Sequence, residues 1–137
     1  MIVTSIISDR GSFTLTTGVL AREPIPGSAA LSLVNGGLEG FVRAAALEMP
    51  RSIRINVISP PWVSETLEAM GQDGANGMPA AKVALAYVDS LEGERSGEII
   101  DPRSLYLLNI SITLSLTPEI NLLNIPKSAK IKAKPAL

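Results

Sequence analysis

The apolar positions of this chain change their rhythm several times, and each change marks an element. Asp9-Arg10-Gly11 reads as a turn. The run Phe13-Thr14-Leu15-Thr16-Thr17 that follows is rich in β-branched residues and stops at Gly18, which predicts a strand over residues 12–17. Residues 19–27 hold Pro24, Pro26 and Gly27 and read as a loop. From Ser28, a candidate helix cap, Leu31, Val34, Leu38, Phe41, Val42 and Ala45 recur at helical spacing until Met49-Pro50 stops them. That pattern predicts a helix over 28–49 with one buried face. Ile53 to Ile58 is apolar at every second position and predicts a strand over 53–58.

The same reading continues past Pro60-Pro61. Trp62 to Met70 suits a short helix capped by Ser64, and Gly71 to Gly77 a flexible loop. Pro79 to Leu91 suits a helix with proline in its first turn and Val83, Ala84, Tyr87, Val88 and Leu91 on its inner face. Lys82 and Asp89 fall on its solvated side. A turn-rich connection then leads to a third strand over 97–101. Strand, helix, strand, helix, strand is the order of two right-handed crossovers that build a parallel sheet, an α/β architecture.

The ends are less regular. Residues 1–10 fit a short strand or a helical turn equally well. Residues 110–117 alternate strictly, as a strand with one apolar face would, and Lys127, Lys130, Lys132 and Lys134 make a basic end. Within helix 28–49, Gly36, Gly37 and Gly40 each cost about 1 kcal/mol relative to alanine, which close packing within or between chains would explain.

Composition excludes several chemistries. The 137 residues include no cysteine and no histidine. That removes disulfides, thiolate nucleophiles, Ser-His-Asp catalysis and the usual zinc ligands. Residues 1–102 carry seven Lys/Arg against twelve Asp/Glu, a poor nucleic-acid surface. The longest largely apolar run, Leu105 to Leu116, falls short of the ~20 residues of a membrane helix. No secretory signal is evident, and the expectation is a soluble cytoplasmic protein without nucleic-acid or membrane partners. The Gly71, Gly74, Gly77 spacing resembles a phosphate loop, but lacks the lysine and serine such a loop needs and carries Asp73, which would repel an anion.

The residues VNGGLEGFVRAAALEMPRSIRINVISPP carry a resemblance. Arg54-Ile55-Asn56-Val57-Ile58-Ser59-Pro60 resembles the sixth-strand segment of the short-chain dehydrogenase/reductase superfamily, and Glu98-Ile99-Ile100-Asp101 its seventh strand. The likeness runs from about Gly11 to Asp101. It implies a partial Rossmann-like parallel sheet (β-α-β-α-β) with helices on its faces, spanning 1–102 as the C-terminal half of such a domain, followed by an irregular tail over 103–137. Strand 12–17 would be the family's fifth strand, and residues 62–77 its substrate lid, with Trp62 packed at the lid's root.

The resemblance also implies where the chemistry would stand. The family uses a serine and a Tyr-x-x-x-Lys pair, whose tyrosine transfers the alcohol proton. In register these positions hold Gly18, Leu31 and Asn35 here, so no catalytic residue is expected. The family threonine that touches the nicotinamide amide falls at Glu65, with Thr66 one place late. Cofactor contacts with NAD or NADP are implied at Thr17, Asn35, Pro60 and Val63. The family's Thr-Gly-x-x-x-Gly-x-Gly turn does not occur in the sequence, so the cofactor is not expected to be held by this chain. Two functions follow: an oxidoreductase-family protein inactive as this fragment, or a non-catalytic oligomerisation or binding protein, associating as a homo-oligomer through helix 28–49.

Overall fold

Strand Arg54–Ile58 is the centre of the computed structural model, which describes residues 6–105. The chain forms β1 (Ser12–Thr16), α1 (Ala29–Ala46), β2 (Arg54–Ile58), α2 (Ser64–Ala69), α3 (Ala80–Glu92) and β3 (Ile99–Ile100), with 3-10 turns at Val19–Ala21 and Gly74–Asn76. The expected strand at 110–117 and the lysine-rich end lie outside the described residues. The three strands pair in parallel in the order β1-β2-β3. Phe13 stands opposite Ile55, Leu15 opposite Val57, and Val57 opposite Ile99.

This register sorts side chains onto two faces. Phe13, Leu15, Ile55, Val57 and Ile99 pack against Val42, Ala45, Ala46 and Met49 from α1 and its end. On the other face Ile58 and Ile100 pack against Val83 and Ala86 of α3, joined by Leu105. The helices therefore lie on opposite faces, although both crossovers step the same way across the sheet. Two such crossovers cannot share a hand, so the expected pair of right-handed connections is corrected to one right-handed and one left-handed.

The face under β1 is polar, and this turns α3. Thr14 Oγ1 lies 2.8 Å from Ser90 Oγ, and Thr16 Oγ1 lies 2.6 Å from the Tyr87 hydroxyl. Asn56, fully buried, donates from Nδ2 to Arg95 O (2.8 Å) and Ser90 Oγ (3.3 Å), and its Oδ1 accepts from Glu98 N–H (3.1 Å). An asparagine is a poor strand former, but here every polar atom of its amide has a partner. Because Ser90 and Tyr87 must face the threonines, the buried line of α3 is Val83, Ala86 and Ser90. Ala84, Val88 and Leu91, expected inside, are exposed. Arg54 closes the helix end by donating to Ser90 O and Leu91 O at 2.8 and 2.9 Å.

Helix α1 departs from expectation in a similar way. Its buried residues are Glu39, Val42 and Ala45, whereas Leu31, Val34 and Phe41 remain about half exposed. The amino-terminal half turns Ser32, Asn35 and Glu39 toward polar loops, so the apolar stripe is displaced to one side. Ser28 does not cap the helix through its side chain. Its hydroxyl accepts from Ile25 N–H (3.0 Å) and reaches Ser32 Oγ, which donates to Leu20 O at 2.6 Å. Gly36, Gly37 and Gly40 face open space, with nothing within 4 Å of a built Cβ, so close packing does not explain them among the described residues.

A charge cluster ties the end of β3 to the β1–α1 loop. Arg103 donates from Nε to Asp101 (3.0 and 3.1 Å) and from Nη2 to both Asp101 (2.6 Å) and Glu23 (2.5 Å). Burial alone would raise the Asp101 pKa, but hydrogen bonds and charge from Arg103 lower it below the usual carboxylate range. The hydrogen bond from Arg103 likewise lowers that of Glu23.

Two outcomes follow from this packing. Val57→Ala, in the fully buried centre of the sheet, should cost about 2–3 kcal/mol, whereas Val34→Ala on the exposed stripe should change stability by less than about 0.5 kcal/mol. Urea unfolding reads both as shifts of the midpoint at unchanged slope. The second outcome concerns acid. Both carboxylates have lowered folded-state pKa values, so their contribution is present above the unfolded values of 4.5 and 3.8 and is lost as pH falls through the folded ones. Solvent screening holds the Asp101 share to about 1 kcal/mol or less. Arg103→Met should flatten the loss of melting temperature between about pH 5 and 3. An unchanged slope would show that the cluster contributes nothing.

Candidate functional site

The carboxyl ends of β1 and β2 open into a cavity of about 370 Å³. Open parallel sheets place their ligand sites at this end, where loops diverge from fixed strands. The chain leaves β1 through Thr17 and Gly18, and Thr17 N–H still donates to Ile58 O at 2.9 Å. Val19 N–H donates to Pro60 O at 3.1 Å, which holds the two strand exits side by side. Leu31 and Asn35, one turn apart on α1, form the second wall, and Pro60 to Val63 with Thr66 form the third.

The third wall is fixed by the segment expected to be a flexible loop. Met78 N–H donates to Trp62 O at 2.8 Å, and Ser64 N–H to Met78 O at 3.0 Å. Gly77 permits this approach, because a Cβ there would lie 2.5 Å from Ser64 N. Asp73 Oδ1 accepts Ala75 N–H at 2.9 Å and so occupies a donor that an anion at this turn would need. The expected cap Ser64 makes no side-chain cap bond; α2 begins after Val63. Glu65 instead reaches across to cap α3, accepting Ala80 N–H at 2.9 Å.

Thr17, Asn35, Pro60 and Val63, the expected cofactor contacts, all line this one cavity. Leu31, expected at the family's tyrosine position, lies there too, and Thr66 lines the cavity while Glu65 has turned away to α3. Trp62 roots the lid by its backbone and lines the cavity with its side chain. Besides the Trp62 indole, the polar lining side chains are Thr16, Thr17, Asn35 and Thr66, and the first three of these are already engaged. Thr16 meets Tyr87, Thr17 Oγ1 lies a long 3.5 Å from Ile58 O, and Asn35 Nδ2 donates to Gly18 O at 3.2 Å. No charged residue lines the cavity.

A buried charge lies behind the wall, and sequence reading missed it. Glu39, one turn beyond Asn35, is buried and accepts from Ser59 Oγ at 3.1 Å. Ser59 in turn accepts from Arg22 Nη2 at 2.9 Å, and Arg22 Nε stands 3.7 Å from Glu39. A carboxylate taken out of water needs such partners. The cluster pins the β1–α1 loop to the residue before Pro60, so it shapes the cavity without touching it. The available signal was an acid in phase with Ser32, Asn35, Val42 and Ala46 on the helix.

A nicotinamide dinucleotide does not fit the residues present as a whole. The cavity can take one ring, but a pyrophosphate needs cationic groups or free backbone N–H groups at a helix start, and the lining offers no charge. Among the described residues no group of His, Cys, Asp and Glu could hold a metal, and no helix is long and apolar enough to cross a membrane.

Comparison with known proteins agrees with this geometry. A family model described as enoyl-(acyl carrier protein) reductase matches residues 2–95. The solved Listeria innocua protein lin1944 is 40% identical at a TM-score of 0.66, over 72% of this chain and 50% of that one. The short-chain dehydrogenase/reductase malC of Malbranchea aurantiaca is 43% identical over 49 residues, covering 36% of this chain and 18% of its own. The solved structure of the MalC reductase/Diels-Alderase from that organism has a TM-score of 0.60 at 28% identity, over 70% of this chain and 41% of that one. A small-chain dehydrogenase solved in complex with NADPH shares the fold at 24% identity and a TM-score of 0.61, over 72% of this chain and 52% of that one. The chain thus spans about half the length of the solved relatives it matches. With three strands in family order and its cavity at their carboxyl ends, the chain belongs to the short-chain dehydrogenase/reductase family.

Proposed function

We propose that this chain carries the nicotinamide-side and substrate-side wall of a short-chain reductase site, and that it does not transfer hydride by itself. One observation supports the reading: no titratable side chain lines the cavity, and Leu31, the residue that the resemblance aligns with the family's tyrosine, stands in its wall. Reduction of a carbonyl needs a proton delivered to its oxygen, and leucine has none to give. Asn35, at the lysine position, is neutral and holds Gly18 O instead of lowering a phenol pKa.

In the complete family site, NAD(P) supplies the hydride. Here Thr17, Asn35, Pro60 and Val63 are the proposed contacts for its nicotinamide end, supported by their convergence on one ring-sized cavity. Residues 1–102 form the proposed half-domain and 103–137 its appendage, in a cytoplasmic protein. A second role is favoured by the exposed stripe Leu31, Val34 and Phe41: association into a homo-oligomer through helix 28–49.

The catalytic reading is tested by restoring the missing groups. A Cβ at Gly18 would meet Asn35 Nδ2 at 3.5 Å and Pro60 O at 3.8 Å, ordinary contacts, so Gly18→Ser is sterically admissible. Leu31→Tyr and Asn35→Lys complete the set on one helix face. Titration calorimetry of NADPH and NADH into wild type and triple variant should show no saturable micromolar binding, and small ketones should not turn over. Cofactor anchoring far from the reacting atoms cannot be replaced by three side chains near them. Micromolar binding by either protein, or turnover above buffer, would overturn the reading.

A further inference from the structure

Three places in the chain put glycine directly after asparagine or aspartate: Asn35-Gly36, Asp73-Gly74 and Asn76-Gly77. At such a pair the backbone nitrogen of the glycine can attack the side-chain carbonyl carbon before it, because glycine has no side chain to block the approach. The attack closes a succinimide ring. By sequence the two asparagine pairs are equally reactive, and only the fold ranks them.

Asn35 lies inside α1, so the Gly36 nitrogen belongs to the helical ladder and closing the ring there means breaking the helix on both sides. Its amide is also tied to Gly18 O at 3.2 Å. Asp73 is restrained differently. Its Oδ1 accepts Ala75 N–H at 2.9 Å, Gly74 is buried against Glu68, and a carboxylate resists attack more than an amide does. Asn76 is exposed and is the last residue of the short 3-10 turn Gly74–Asn76, with Gly77 already extended at φ −109 and ψ 174. Its Nδ2 lies a long 3.4 Å from Asp73 O, a weak restraint. The one firm bond is Gly77 N–H to Gly74 O at 3.0 Å, and a single 3-10 turn opens at little cost.

We propose that Asn76 is a modification site, where the chain deamidates without an enzyme and the product loosens the third wall of the cavity. The Gly77 nitrogen gives up its proton and bonds to Asn76 Cγ; the Cγ–Nδ2 bond breaks and ammonia leaves with that proton. Water then opens the ring. Cleavage between the nitrogen and Cγ gives aspartate, and cleavage between the nitrogen and the Asn76 backbone carbonyl gives isoaspartate. The second product routes the main chain through Cβ and Cγ and lengthens it by one carbon–carbon bond, about 1.5 Å. That length enters where the backbone has least room. A Cβ on Gly77 would already lie 2.5 Å from Ser64 N, and Met78 is fixed on both sides by its bonds to Trp62 O and Ser64 N–H. The new carboxylate also joins a segment that carries Asp73 and Glu68. No step involves a cofactor, so this inference stands apart from the reductase reading.

Ageing the full chain at mildly alkaline pH, followed by peptide mapping with fragmentation that separates aspartate from isoaspartate, tests the site. In the folded protein Asn76 should convert at least about tenfold faster than Asn35, with isoaspartate among the products. In urea the two pairs should convert at similar rates, because the ranking belongs to the fold. Trp62 is the only tryptophan, so its quenching by acrylamide reads the wall and should rise in step with isoaspartate. Asn76→Gln should abolish both the conversion and the rise. Asn76→Asp, which adds the charge without the extra bond, should leave the quenching of fresh protein unchanged. Equal rates at Asn35 and Asn76 in the folded chain overturn the assignment, as does an intact Asn76 under conditions that convert it in urea. Isoaspartate that accumulates while Trp62 stays unchanged, or a rise reproduced by fresh Asn76→Asp, overturns the loosening by a longer main chain.

Discussion

The described structure is referred to β2, the one strand among the described residues that is paired on both edges and covered on both faces. Its parallel register with β1 sets which side chains face α1 and which face α3. A slip by one residue would either turn Phe13 and Leu15 to the polar face or turn Asn56 toward Val42 and Ala45. Such a slip is costly because Asn56 has a specific set of partners: Arg95 O, Ser90 Oγ and Glu98 N–H. The buried amide acts as a register pin, and its value lies in what it forbids as much as in the bonds it makes.

The cavity inherits its geometry from that pin. Strand ends fixed in register hold Thr17 and Pro60 together, and the Arg22–Ser59–Glu39 cluster draws the first loop onto the second. Of these residues, Arg22, Ser59 and Glu39 stand behind the cavity and do not line it. The shape of the cavity wall is therefore independent of which side chains line it, because backbone pairing and buried polar bonds maintain it. Asn35 belongs to both accounts: it lines the cavity, yet its amide serves as a brace to Gly18 O.

Much of the fold was legible because it rests on local periodicity. The strands at 12–17 and 53–58 and the helices near 28–49 and 79–91 appear within a few residues of where the alternation and the prolines put them. What periodicity could not supply was the rotation of each helix. Leu31, Val34 and Phe41 form as regular a stripe as a buried face would, but the buried face is the one bearing Glu39, chosen by Ser59 and Arg22 from distant parts of the chain. Ser90 decides the rotation of α3 in the same way. Crossover hand was illegible for a related reason: pattern gives the order of elements, while the face on which α3 lands depends on which strand residues are polar. The cavity-lining set was readable only through the resemblance, since threonine, asparagine, proline and valine carry no chemical signature of their own.

The polar bonds beneath the sheet also bear on how the chain can associate. Thr14 and Thr16 point their hydroxyls at Ser90 and Tyr87, so the side chains of the edge strand are satisfied from within. Among the described residues the outward backbone of that strand pairs with no further strand. An edge with engaged side chains and free main-chain groups recognises another strand by hydrogen-bond geometry rather than by sequence. Selectivity must then come from the surfaces on either side of it.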